Sequence, residues 1–303
     1  MCELEPQFLQ YIQVELQFAA QSVAKYQDCL RQIRKVIGDR PVTAYGREDV
    51  LRLKSDMIAR SLSVCRQVGI LSAFKRLLLF CREQLALPVL EPDAVSIPKR
   101  PRREVVFLTV EEVERFVSSI RLTTLRDQPS IHGLRFRALV EMLLGSAMRI
   151  GELLSLNRSD IDFPEREARI IGKGNKQRVV FFTERALFWL GRYLDLRTDD
   201  HPALFARQDG GERMKQPDIW RPFARHRLLA GINKPVRPHL LRHTAATQLL
   251  FNGCPVGHIK EILGHERLET TCRYYLGLDR RAAKVAHERF LVYEKESTGL
   301  NHT

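Results

Sequence analysis

Residues 91–106, EPDAVSIPKRPRREVV, set the first limit on how this chain folds. Pro92, Pro98 and Pro101 each lack a backbone donor, hold φ near one value and disfavour helix at the residue before them. No helix runs through such a stretch. The chain of 303 residues therefore divides into a segment over 1–92, a linker over 93–106 and a segment over 107–303, with a tail from about 278 to 303. Two domains are the natural expectation at this length, and a hydrophobic content of 44% is ample for two packed cores.

The charge balance narrows the class of partner. There are 49 Lys and Arg against 36 Asp and Glu, a formal charge of +13. Such an excess favours a polyanion, because releasing counterions from phosphates drives binding. An anionic membrane is the rival, but the sequence has no long apolar segment and no basic amphipathic anchor, so no membrane partner is expected. Lys99, Arg100, Arg102 and Arg103 crowd into the linker. They suit a solvated linker and equally one laid along a phosphate backbone. The first ten residues, MCELEPQFLQ, hold two Glu and no basic residue, which does not read as a signal peptide. Six cysteines without C-x-x-C spacing indicate neither a zinc site nor a disulfide framework. They read as reduced thiols of a cytoplasmic protein.

Residues 7–90 read as helices. Phe8, Leu9, Ile12, Leu16, Ala19, Ala20 and Val23 recur at three or four positions, and Tyr26, Leu30, Ile33 and Ile37 continue the stripe. A break at Gly38 to Pro41 precedes a helix near 47–60, and Ile70, Phe74, Leu77, Leu78 and Cys81 mark a last one. This says "small helical domain" and no more.

The second segment opens with a capping box, Thr109 followed by Glu112. A helix over 134–144 ends at Gly145 and Ser146, and another begins near Arg149. Strands over 168–171 and 179–182 flank GKGNKQR, which reads as a hairpin tip with Gly174 and Asn175 in the turn. Residues 186–196 are helical, and Trp220, Phe223 and Leu228 are expected to pack a further helix. Pro238 starts a helix whose buried side is Leu240, Leu241, Ala245, Leu249 and Leu250, stopped by Asn252 and Gly253. Gly264 stops the next. The expected fold class is mainly α with a small β-sheet: a helical N-terminal domain and an α+β C-terminal one.

Several side chains in this second segment carry chemistry. Arg149 sits between two apolar helices, where a guanidinium is costly to bury unless it meets an anion; Glu152 or Glu141 could be that anion, and so could a phosphate. Lys173 and Lys176 flank the hairpin turn, where a lone lysine is usually a solvated charge. His239 and Arg242 are three apart and share a helix face. His243 follows Arg242 directly and reads as structural, pointing away from that face. His239, His243, His258 and His265 could be imagined around a metal, but no carboxylate stands at ligand spacing. Tyr274 and Tyr275 form a pair of the kind that usually packs. His226 reads as an ordinary surface or core histidine.

Four segments, SAMRIGELLSL (146–156), IIGKGNKQRVV (170–180), HLLRHTAATQL (239–249) and LGHERLETTCRYY (263–275), resemble those of the tyrosine recombinases, the family of phage integrases and Xer recombinases. The resemblance runs from about 107 to 290 and fits weakly over 7–90. Ala147 stands where the family usually has glycine. The resemblance implies six catalytic residues: Arg149, Lys173, His239, Arg242, His265 and Tyr274. It selects Lys173 over Lys176 by its place 24 residues after Arg149, and Tyr274 over Tyr275 by its place nine after His265. Tyr274 would attack a DNA phosphate and form a 3′-phosphotyrosyl link, releasing a 5′-hydroxyl. Arg149 and Arg242 would bind the non-bridging oxygens, Lys173 would protonate the leaving oxygen, His239 would accept or hold the phenol proton, and His265 would donate to the phosphate. No metal, ATP or other cofactor is implied. The expected partners are double-stranded DNA with inverted half-sites and further copies of the chain, two per site and four at synapsis, at the nucleoid. The same groups serve integration, excision, resolution and inversion, as on mobile elements. A type IB topoisomerase-like nicking and closing enzyme shares them, and an inactive architectural DNA-binding protein is a third reading.

Overall fold

A computed structural model describes residues 1–99, 106–171, 177–207, 211–265 and His287. The chain divides into two units, Met1–Arg103 and Glu104–Thr303. In the first, α1 (Glu5–Val14), α2 (Ala20–Ile37), α3 (Arg47–Ala59) and α4 (Val64–Leu85) surround one core. The long apolar stripe is carried by two helices. Gln17 turns the chain at a φ of 52°, and Ala19 and Ala20, counted in the stripe, are exposed. A period of three and four cannot see such a turn, since the stripe resumes in register beyond it. Phe8 and Ile12 of α1, Leu30 and Ile33 of α2, and Phe74 and Leu77 of α4 are fully buried. The break near Gly38 is closed by the Tyr45 hydroxyl, which accepts from Arg40 N at 3.1 Å and donates to Gly38 O at 2.8 Å. The two buried carboxylates of this unit, Glu5 and Asp49, are paired with Arg34 and Arg40.

The second unit is mostly helical around a three-stranded antiparallel sheet of order β1-β2-β3. The capping box forms as expected: Thr109 N donates to Glu112 Oε2 at 2.8 Å, Glu112 N donates to Thr109 Oγ1 at 3.2 Å, and α5 (Val110–Ser118) follows. α6 (Ile131–Ser146) is the central helix, α7 (Ile150–Ser155) a short turn beyond it. The strands are β1 (Ile161–Asp162), β2 (Glu167–Ile171) and β3 (Gln177–Phe181), with Ala168 opposite Val180 and Ile170 opposite Arg178. Ala168, Ile170 and Val180 are buried, so the alternation of a strand sends Arg178 inward with them. The hairpin tip, 172–176, lies outside the described residues.

α8 (Glu184–Asp195) packs along α6, and α9 (Gln216–Leu229), α10 (Pro238–Phe251) and α11 (Val256–Leu263) complete the unit. In α9, Phe223 and Ile219 are buried, whereas Trp220 and Leu228 are 43% and 67% exposed, contrary to expectation. Positions 219 and 223 share a face; 220 and 228 lie off it. On α10, Leu240 and Leu241 are buried, while Ala245, Leu249 and Leu250 are only partly so and pack against Ile259 and Leu263 of α11. His226 is structural: its ring stacks on Phe136 at 5.0 Å and its Nδ1 lies 3.1 Å from Ser119 Oγ.

Gly145 does not end α6, as the sequence suggests, but lies inside it. A Cβ there would fall 2.4 Å from Thr183 Oγ1 and 2.9 Å from Ala186 Cβ, where α8 begins. Thr183 caps α8 by accepting from Ala186 N at 3.3 Å, so it cannot move freely. Gly145→Val is expected to lower the melting temperature, since overpacking costs roughly 1–3 kcal/mol. An unmoved thermal unfolding curve would mean that α6 and α8 separate without cost.

Candidate active site

The site is organised around the carbonyl end of α11. Gly264, at a φ of 60°, lets the chain turn back there. Gly264 N–H donates to Glu261 O at 2.9 Å and His265 N–H to Lys260 O at 3.0 Å, the paired bonds of a Schellman stop. His265 is thus set in place by the cap itself. The next three carbonyls, of Ile262, Leu263 and Gly264, each receive a different guanidinium: Arg178 Nη1 donates to Ile262 O at 2.8 Å, Arg242 Nη2 to Leu263 O, and Arg149 Nη2 to Gly264 O at 3.3 Å. Cations suit this end of a helix, where the aligned peptide dipoles leave negative charge.

Arg242 comes from the first turns of α10. It is 3% exposed, and its Nη1 also donates to Ala147 O at 2.8 Å. It thereby ties the turn between α6 and α7 to the end of α11. Ala147 holds that turn at a φ of 53°, a left-handed conformation that costs a residue with a Cβ roughly 1–2 kcal/mol. The alanine therefore keeps the backbone that a glycine would adopt more easily.

Arg149 stands just before α7. Its backbone N–H donates to Glu152 Oε2 at 2.9 Å and its Nη1 to Glu152 Oε1 at 2.8 Å. Of the two carboxylates weighed for it, Glu152 is the partner; Glu141 is taken by Arg137 and Arg185. Glu152 also accepts from Arg178 Nη2 at 2.9 Å. Burial pushes its carboxyl up, but the Arg149 N–H, the Arg149 guanidinium and the Arg178 charge together hold it below the usual carboxylate value. The Arg149 side chain is 41% exposed, so one carboxylate orients it while leaving it open to solvent.

Three histidines complete the described site. The His239 and His243 rings lie 4.5 Å apart at 74°. His243 therefore does not point away: it stands four residues after His239, and i and i+4 share a helix face. Burial, then His239 and Arg242, lower the His243 imidazole to about 4. Burial, then Arg242 and Arg149, lower His265 to about 4. The same causes in the same order lower His239. All three are neutral at pH 7 and can pass protons, while fixed positive charge rests on the arginines.

An open cleft of about 400 Å³ is lined by Arg149, Glu152, His239 and Arg242 and bordered by Ile171 at the end of β2. Four of the six expected catalytic residues, Arg149, His239, Arg242 and His265, are thus brought together. Lys173 and Tyr274 lie outside the described residues, as do Arg100, Arg102 and Arg103; Lys99 is exposed. Among the described residues no cluster of three His, Cys, Asp or Glu could hold a metal, and no helix is long and apolar enough to cross a membrane. The sequence reading missed Arg178. Its signal was there: an arginine in register with the inward Val180 of a strand needs a buried acceptor.

A cradle of cations and neutral histidines at a helix C-terminus beside a small antiparallel sheet suits an anionic ligand. Residues 106–281 match the phage integrase family, and the chain belongs to that family. It is 36% identical over 209 residues to the tyrosine recombinase XerC of Chlamydia muridarum, a match covering 67% of this chain. That match spans 64% of the relative's own length. It is 30% identical over 234 residues to the tyrosine recombinase XerD of Chlorobaculum tepidum, covering 75% of this chain and 74% of the relative. Its fold is similar to that of the Tn1549 transposon integrase in complex with a circular intermediate DNA, with a TM-score of 0.75, 18% identity and coverage of 94% and 98%.

The lowered imidazoles make stability depend on acid. A histidine that titrates near 6.5 when unfolded and near 4 when folded favours the unfolded chain as pH falls from 6.5 toward 4, and is neutral to stability above 6.5. The melting temperature is expected to fall between pH 6.5 and 5, and less so in His243→Gln. Equal losses in the two proteins would remove His243 from the acid response.

Proposed function

We propose that this protein is a site-specific DNA recombinase that cuts and rejoins DNA through a covalent tyrosyl intermediate. The observation that carries the reading is the convergence of Arg149, His239 and Arg242 at one cationic cleft, with His265 on the turn that Arg149 and Arg242 cap, inside the region that matches the integrase family. Lys173 follows Ile171, at the rim of that cleft, by two positions.

In the proposed reaction the Tyr274 hydroxyl attacks a scissile phosphate. A tyrosyl–phosphorus bond forms and the bond to the 5′-oxygen breaks. His239 accepts or holds the phenol proton, and Lys173 gives a proton to the leaving oxygen. Arg149 and Arg242 bind the non-bridging oxygens as charge develops, with His265 donating beside them. Their donors on the α11 carbonyls are the ones a phosphate would compete for. The reverse step, attack by a 5′-hydroxyl of another duplex, restores the phosphodiester and frees the tyrosine. The tyrosyl ester conserves the bond energy, so the scheme needs neither nucleotide nor metal. Two such exchanges recombine two duplexes, with two copies of the chain on inverted half-sites and four at synapsis. The N-terminal unit would hold one face of the duplex, and Lys99, Arg100, Arg102 and Arg103 the backbone between. The XerC and XerD names of the relatives support recombination over simple nicking and closing.

A nicked suicide duplex, which loses the strand needed for rejoining, tests this. The full chain is expected to become covalently attached at a 3′-phosphate; Tyr274→Phe abolishes attachment and leaves binding, while Tyr275→Phe retains both. Arg149→Ala is expected to slow attachment by roughly 10²–10³-fold, the cost of a lost oxyanion donor. An adduct on Tyr275 would overturn the nucleophile, and absence of any adduct the reading itself.

The acid is tested separately. Lys173→Ala is expected to slow cleavage of ordinary DNA but much less that of a substrate with a 5′-bridging sulfur, whose leaving group needs no proton. Lys176→Ala is expected to resemble the wild type on both. Equal sulfur rescue of the two variants would count against Lys173.

A further inference from the structure

Arg178 is the one of the three α11-capping arginines that the proposed reaction does not use. Its side chain is only 16% exposed, on the inward face of β3. It bridges two groups that otherwise belong to separate elements, the Glu152 carboxylate of α7 at 2.9 Å and the Ile262 carbonyl of α11 at 2.8 Å. It lies so close to the turn after α11 that a Cβ on Gly264 would come within 2.6 Å of its Nε. That Nε is itself buried without a hydrogen-bond partner. A buried donor left unsatisfied is unfavourable, so the guanidinium is held where its other two nitrogens are needed rather than where all three are content.

The three carbonyls divide by what happens when a phosphate arrives. Arg149 and Arg242 would turn donors from Gly264 and Leu263 to the phosphate oxygens. The Ile262 carbonyl keeps its donor, because Arg178 is locked by Glu152 and the inward face of the strand. We propose that Arg178 is the positioning residue of this site: it holds Glu152 and the end of α11 in register and so fixes where Arg149 and His265 stand. The inference rests on the recombinase reading for its consequence in catalysis, but not for its geometry. Lysine cannot replace it fully, because a single ammonium lacks the planar fork that reaches a carboxylate and a carbonyl at once.

The test uses the full chain with Arg178→Met and Arg178→Lys, each alone and with Glu152→Gln. In the free protein, hydrogen exchange is measured at the Gly264 and His265 amides, which close the Schellman stop. Both variants are expected to speed exchange there, Lys less than Met, with the helices of the N-terminal unit and α6 unchanged. On the nicked duplex, Arg178→Met is expected to slow covalent attachment by roughly 10²-fold, the effect of a small misplacement of reacting groups, with little loss of DNA affinity. The double variant is expected to lose less than the sum of the two singles, because both changes break the Arg178–Glu152 pair. Unchanged local exchange overturns the proposal whatever the DNA assay gives. So does an undiminished attachment rate, additive losses, or exchange that rises equally throughout the second unit. Should Arg178→Met not fold, Arg178→Lys carries both measurements. A wild-type chain that forms no adduct would sink the recombinase reading, and the exchange experiment would still decide the role of Arg178 in holding the turn.

Discussion

The negative end of a single short helix organises the second unit. Each of the last carbonyls of α11 would, unpaired, cost desolvation. Three guanidiniums from three separate elements meet them: Arg149 before α7, Arg178 on β3 and Arg242 on α10. Three cations in one place repel each other, by about 4 kcal/mol for a pair at 4 Å in an effective dielectric of 20. The helix dipole and the Glu152 carboxylate offset that repulsion. The three guanidiniums are thereby held together by backbone carbonyls and one carboxylate, and an anion binding here would compete with those carbonyls for their donors.

Local strain gathers at the same place. Ala147 and Gly264 are both in the left-handed region, and both carbonyls are acceptors for the arginines. Arg178 points inward on a strand whose neighbours on that face are apolar. The left-handed alanine and the inward arginine are locally unfavourable, whereas the glycine takes that backbone freely, and each is explained by the guanidinium it serves. Other left-handed residues, such as Gln17 and Ala86, only end helices, whereas Ala147 also presents its carbonyl to a buried guanidinium.

Much of this architecture could be read before any coordinates. The Thr109 and Glu112 box, the strands around GKGNKQR, the helix from Pro238 and the stops at Gly253 and Gly264 depend on near neighbours in the chain, and near neighbours are what a sequence displays. The three-residue spacing of His239 and Arg242 likewise placed them together. What was not legible depends on distant pairing. Gly145 looked like a helix end because its need for a bare backbone comes from Thr183, 38 positions away. Trp220 and Leu228 looked buried because being apolar does not say which face of α9 meets the core. Arg178 was passed over within GKGNKQR because its partners, Glu152 and Ile262, come from two other elements. His243 is a different kind of miss: its i+4 relation to His239 was visible, but adjacency to Arg242 was weighed instead.

The division of labour between charge and proton follows from the same cluster. Guanidiniums stay charged at any physiological pH, so the positive field over the cleft does not depend on histidine. Burial first, and that field beside it, keep His239, His243 and His265 neutral. A neutral imidazole has one nitrogen that accepts and one that donates, which an imidazolium does not. Under the proposed reaction His239 needs an accepting nitrogen and His265 a donating one, and a single protonation state supplies both. Under that proposal the arginines that would hold the phosphate add to burial in keeping the histidines in the form in which they are useful, and this coupling ties the two sets of residues together.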